Sequence, residues 1–213
     1  MSTYLADVVV LASKDLRLEL RARSTVPAML LFVVSALVVF HFALPSDSSE
    51  LAAKGLLWLA IVFTALLGLT RAFVAEREQH LIDGLLLAPC DRSAIWLAKA
   101  LSMLGFLVAA ELIALPAFAL FFQGIDGATV AGVALADLGI CAVGTVLSAM
   151  AVAGRARELL LPLLFLPLAI PVIVGGVGAS VTDEPGRYLG FLALYDAVFA
   201  IISWASFEYV VTE

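Results

Sequence analysis

The stretch AIWLAKALSMLGFLVAAELIALPAFALFF, residues 94–122, decides the fold. Only Lys99 and Glu111 carry charge within it. An unbroken apolar run of about 18 residues or more reads as a membrane-spanning helix. It lacks the polar–apolar alternation of a barrel strand, and backbone in lipid must satisfy its own hydrogen bonds, so a helix is the remaining solution. The run is longer than the hydrocarbon core is thick, so it must tilt, kink or protrude.

Five similar stretches surround it, at about 27–44, 55–75, 128–153, 158–179 and 189–207. The 213 residues are 63% hydrophobic and 14% charged, with mean hydropathy +1.11. Soluble domains sit near half apolar and a quarter charged. The expectation is an all-α integral membrane protein whose residues 1–213 form one transmembrane domain of six spanning helices, with no sizeable soluble part and no nucleic-acid partner. Cys90 and Cys141 fall at different expected depths, which argues against a disulfide and for two inert small side chains. Residues 1–25 carry Asp7, Lys14, Asp15, Arg17, Glu19, Arg21 and Arg23. They offer no short apolar core followed by a small-residue cleavage site, so no cleavable signal peptide is expected and the first span directs insertion.

Basic residues set the orientation. With the N-terminus in the cytoplasm, Lys14, Arg17, Arg21, Arg23, Arg71, Arg77, Arg92, Lys99, Arg155 and Arg157 lie inside, and only Lys54 and Arg187 lie outside. That asymmetry follows the positive-inside rule. Six spans then return the C-terminus to the cytoplasm. Residues 3–23 have the spacing of an amphipathic helix in the cytoplasmic interface. Leu5, Val9, Ala12, Leu16 and Leu20 share one face, and Asp7, Lys14, Arg17 and Arg21 another. Asp15 and Glu19 notch the apolar arc, and Glu19 stands four residues before Arg23. Such a helix serves as a surface anchor or also touches a cytosolic partner.

Between the second and third spans lies a charged interruption, with Glu76, Arg77, Glu78, Leu81, Ile82, Asp83, Gly84, Leu85, Leu86 and Leu87. It is too short and too charged to span. Its periodicity suits a short cytoplasmic helix over about 76–88, ended by Pro89, with Asp91 or Ser93 capping the next helix. The alternative is an ordinary charged loop.

At this point the residues resemble a known family. Arg71-x-Phe73-x-x-Glu76-x-Glu78, followed by Gly84-Leu85-Leu86-Leu87-x-Pro89-x-x-Arg92-x-x-Ile95-x-x-x-Lys99, is similar to the cytoplasmic loop of small export-type ABC permeases. The closer likeness is to the haem exporter B family, CcmB, of bacterial cytochrome c maturation. Lys14-Asp15-Leu16-Arg17-x-Glu19-x-Arg21, Gly55-Leu56-Leu57-Trp58, Glu158-Leu159-Leu160-Leu161-Pro162 and Leu166-Pro167-Leu168-Ala169-Ile170-Pro171 extend the resemblance over nearly the whole chain. It implies a bacterial inner-membrane permease with a coupling helix that contacts an ATPase through Glu76, Glu78, Leu81, Asp83, Gly84, Leu85 and Leu86. It also implies a second membrane subunit that handles haem (or a second copy of this chain), a small single-helix subunit and a periplasmic haem chaperone. The chain has no Gly-x-x-x-x-Gly-Lys-Ser/Thr phosphate loop, so ATP belongs on another polypeptide and this chain is not by itself an enzyme. Haem would be a handled ligand, exported or carried on a chaperone that is released. A permease for a lipid or peptide, and a membrane scaffold without transport, are the rival readings.

Glu111, Asp137 and Asp196 fall within spanning stretches and mark a candidate intramembrane polar site. A carboxyl there costs several kcal/mol unless protonated, paired or wet. It serves a polar or proton-linked path, or simply packs as a protonated group between helices. Pro162, Pro167 and Pro171 predict a kinked or broken fifth span. His41, near the outer end of the first span, and His80 in the interruption have the side chain that often ligates haem iron. A lone interfacial His is more often just amphipathic.

Overall fold

The structure, a computed structural model, describes residues 2–22, 25–45, 50–70, 90–122, 124–153 and 157–212. Among these the regular elements are all helices: α1 Ser2–Ala22, α2 Thr25–Ala43, α3 Glu50–Leu69, α4 Arg92–Phe121, α5 Gly127–Ala153, α6 Arg157–Val181 and α7 Pro185–Thr212. The six from α2 to α7 are long and apolar enough to cross a membrane. Helix α3 starts five residues before the expected 55–75, whose last five residues lie outside the described ones, and α7 runs five residues past the expected 207; the other boundaries fall within four residues of those expected. The expected coupling helix, with Glu76, Glu78, Leu81, Asp83, Gly84, Leu85 and Leu86, lies outside the described residues.

Contacts between helices show that α2 to α7 alternate in direction. The ends of α2, α4 and α6 share one end of the bundle with the starts of α3, α5 and α7. There Lys54 reaches Thr129 and Ser180, and His41 faces Phe121. At the other end Arg92, opening α4, reaches Glu208 of α7 at 3.4 Å.

Helix α5 is central: 72% of its spanning window is buried, against 17% for α2 and for α7. Its sequence, GATVAGVALADLGICAVGTVLSAMAVA, explains this. Lipid gives no hydrophobic drive between helices, so packing depends on small side chains that let backbones approach. At Gly139 a side chain would collide with Asp196 and Tyr195 of α7. Gly176 of α6 plays the same part for the indole of Trp58, which is fully buried and donates to Ser180 Oγ at 3.0 Å. Trp58, Phe118, Phe165, Ile61 and Leu57 fill the main core between the helices. Ser148 of α5 donates to the carbonyl of Leu69 at 3.0 Å, satisfying a helix-end acceptor of α3.

Helix α6 runs without interruption through Pro162, Pro167 and Pro171. Each proline removes a donor from the helix ladder. The Tyr195 hydroxyl of α7 donates to Leu168 O at 2.8 Å, one residue beyond the Pro167 carbonyl whose donor Pro171 removes.

Helix α4 begins at a formed cap. Asp91 has extended geometry (φ −64°, ψ 134°) and accepts from the Ser93 amide at 2.8 Å and the Ser93 hydroxyl at 2.7 Å. Of the two expected caps, the structure selects Asp91. The Ser93 side-chain and backbone hydrogen bonds hold its carboxyl below the ordinary carboxylate value. At 30 residues α4 is about 45 Å long, roughly half again the hydrocarbon thickness, so it must tilt, bend or protrude.

Candidate functional site

The candidate site divides into a belt around the start of α4 and a layer of carboxyls near mid-membrane. The belt adjoins the expected coupling segment directly, because α4 follows it after Cys90 and Asp91.

Helix α1 packs alongside the first half of α4. Tyr4 shares a hydrogen bond with Ser93 at 3.2 Å, Ser102 donates to Ala12 O at 3.3 Å, and Leu16 lies over Gly105. Val8 and Ala12 bury against Ala94 and Ala98. Leu5 and Val9, placed on the same apolar face by the sequence, point away from the bundle at 56% and 65% exposure. The largest departure from expectation is Asp15. Its placement as a flaw in the apolar arc missed its partner: Asp15 Oδ2 meets Lys99 Nζ at 2.9 Å, with side chains 9% and 6% exposed. Lys14 Nζ lies 3.0 Å from the other carboxylate oxygen. A buried charge must be paired, and each of these two residues supplies the other's need. The Glu19 and Arg23 side chains lie outside the described side chains.

Glu111, Asp137 and Asp196 share one depth. Glu111 is ten residues from the end of α4, Asp137 ten from the start of α5 and Asp196 eleven from the start of α7. At 1.5 Å per residue each lies about 15 Å from the same end of the bundle, close to the middle of a bilayer. Glu111 and Asp137 are buried at this depth on the packed helices α4 and α5. Asp196 is apart: its carboxyl lies over Gly139, two residues from Asp137 and so on the far side of α5. Glu111 Oε1, Asp137 Oδ1 and both Asp196 oxygens are buried without a hydrogen-bond partner among the described residues. Glu111 also lines a cavity of about 10 Å³ with Val33, Ile61, Thr64, Leu107, Ala110 and Ala114.

A further polar cluster closes the opposite end. Lys54 is 2% exposed, and its Nζ donates to Thr129 Oγ1 at 3.0 Å, Ser180 O at 3.1 Å and Asp126 Oδ1 at 3.4 Å. Glu50 Oε1 is 3.6 Å away. Asp126 also accepts from the Thr129 amide at 3.0 Å and from its hydroxyl. Burial raises the Asp126 carboxyl, but the Thr129 hydrogen bonds and Lys54 outweigh it and leave the group below its ordinary value. The sequence carried a partial signal, the i,i+4 spacing of Glu50 and Lys54. Nothing local linked Lys54 to Asp126. His41 is exposed, its ring 5.3–5.8 Å from those of Phe42, Phe121 and Phe122. His80 lies outside the described residues.

Sequence comparisons bear on the same architecture. The family described as CcmB protein matches residues 6–207. Heme exporter protein B of Bradyrhizobium diazoefficiens is 32% identical over 179 residues, 80% of this chain and 79% of that protein. Heme exporter protein B of Pseudomonas aeruginosa is 30% identical over 176 residues, 80% and 78% of the two chains. Heme exporter protein B of Paracoccus denitrificans is 32% identical over 192 residues, 84% and 87% of the two chains.

Proposed function

The chain belongs to the CcmB family, and we propose that it is the multi-pass membrane subunit of a bacterial haem exporter, driven by an ATPase carried on another polypeptide. The observation that carries this reading is the family match over residues 6–207, which takes in the spanning helices α2 to α6, most of α7 and the charged segment between α3 and α4.

The coupling route follows from connectivity. Residues 76–88 stand between α3 and α4, so a force on that segment acts on both helices. Helix α4 is tied to α1 through Asp15 and Lys99, and to α7 through Arg92 and Glu208. Helix α3 is tied to α5 by the Ser148 bond. In this reading an ATP-binding subunit docks on Glu76, Glu78, Leu81, Asp83, Gly84, Leu85 and Leu86, and the bundle moves around α5. The N- and C-termini and the α1–α4 belt face the cytoplasm, and the Lys54 cluster faces the periplasm. The second membrane subunit, or a second copy of this chain, completes the two membrane halves. A small single-helix subunit and a periplasmic haem chaperone complete the assembly.

The test is complementation of a strain lacking this gene, read as covalent c-type cytochrome. Glu78→Ala and Gly84→Trp should cut maturation at least tenfold while membrane levels of the subunit stay at wild type. Full cytochrome levels in both variants would remove the coupling role from this segment.

A further inference from the structure

We propose that Glu111 and Asp137 form a proton-binding site at the middle of the membrane, one proton held between them and one water taken up in the adjoining cavity. Three observations combine. The carboxyls come from packed neighbouring helices at one depth, and two ionised carboxylates buried there would repel, so the two together keep at least one proton. Both are more than nine-tenths buried, and each retains one oxygen without a partner among the described residues. Glu111 lines a cavity of about 10 Å³, close to the least volume that holds a water.

Among the described residues, the surroundings supply no competing charge. Helix α2 brings Val33, and its His41 is two turns away at the bundle end. Helix α3 brings Ile61 and Thr64, whose hydroxyl already donates to Ala60 O at 2.7 Å, while Glu50 and Lys54 belong to the end cluster. On α4, Lys99 is three turns away and paired with Asp15. On α5 the neighbour one turn along is the Cys141 thiol, fully buried. Asp196 and Tyr195 of α7 face the other side of α5 at Gly139. The described side chains of α6, residues 159–181, include no titratable group. Without a nearby cation, loss of the shared proton would place two like charges together in hydrocarbon, so the proton joins α4 to α5.

The test is infrared spectroscopy of the full chain in lipid bilayers at neutral pH, as the difference between wild type and Glu111→Gln/Asp137→Asn. A protonated-carboxyl C=O band should appear in wild type and be lost in the double variant, while Asp196→Asn leaves that difference intact. Raising the pH should then lower the thermal midpoint of wild type more than that of the double variant. Should the double variant fail to fold, Glu111→Gln alone is compared, since its amide keeps a donor to Asp137. A wild-type difference spectrum with carboxylate bands only, or equal alkaline sensitivity of wild type and variant, would overturn the proposal.

Discussion

Asp15 shows what a single residue's context decides. On a helical wheel it is a charge on the wrong side of an amphipathic helix. In the fold it is the residue that holds α1 to α4. The pair could not be read locally, because Lys99 is 84 positions away and counts, in sequence, only as one more cytoplasmic cation. Removing one partner of a buried ion pair leaves the other uncompensated and costs about 3–5 kcal/mol, less where a lysine can reach an interface. Asp15→Ala should therefore lower the thermal midpoint of the detergent-purified protein by several degrees. The Asp15→Ala/Lys99→Met double variant should regain most of that loss. A single variant as stable as wild type would show that the pair is not structural. Glu111 and Asp137 were legible as intramembrane acids, but their pairing, and the separation of Asp196, depend on which face of α5 each meets.

At the scale of elements, the helices themselves were legible because continuous apolar runs leave lipid-exposed backbone no alternative. Asp91 was visible too, as one of two candidate caps before an apolar run. Its hydrogen bonds from Ser93 depress its carboxyl from an ordinary value of 3.8. A carboxyl with a depressed folded value adds stability above the unfolded value, and that stability is lost as pH falls through the folded one. Asp91→Ala should thus cost about 1 kcal/mol at neutral pH, and the gap between the two proteins should close in acid below the ordinary carboxylate value. Parallel unfolding curves of both proteins at neutral and acid pH check this. In α6 three prolines predicted a kinked or broken span, and the continuous helix through all three removes only the break. Helix α1 read as an anchor in the interface; what its pattern did not show is that Val8 and Ala12 seat against α4, with Leu5 and Val9 left outward.

For the whole molecule, composition and length pointed to an all-α membrane protein with six spans, and six helices long and apolar enough to span are present, alternating in direction. The packing order was not legible. That α5 is central comes from its glycines and alanines meeting the bulky Trp58, Leu69, Tyr195 and Asp196 of its neighbours, which is a property of pairs of helices. Of the Lys54 cluster, which joins three helices at one end, the sequence announced only the Glu50–Lys54 spacing within α3. In the proposed coupling, these ties are what would carry a push on α3 and α4 into the rest of the bundle.

The most direct measurement is site-specific cross-linking in intact bacterial membranes. A photoreactive residue is placed at Leu85 or, as a control, at Asp126, and adducts with the co-expressed ATP-binding subunit are quantified. The account predicts an adduct from position 85 and none from position 126. Absence of the adduct at 85, or equal adducts from both positions, would contradict it.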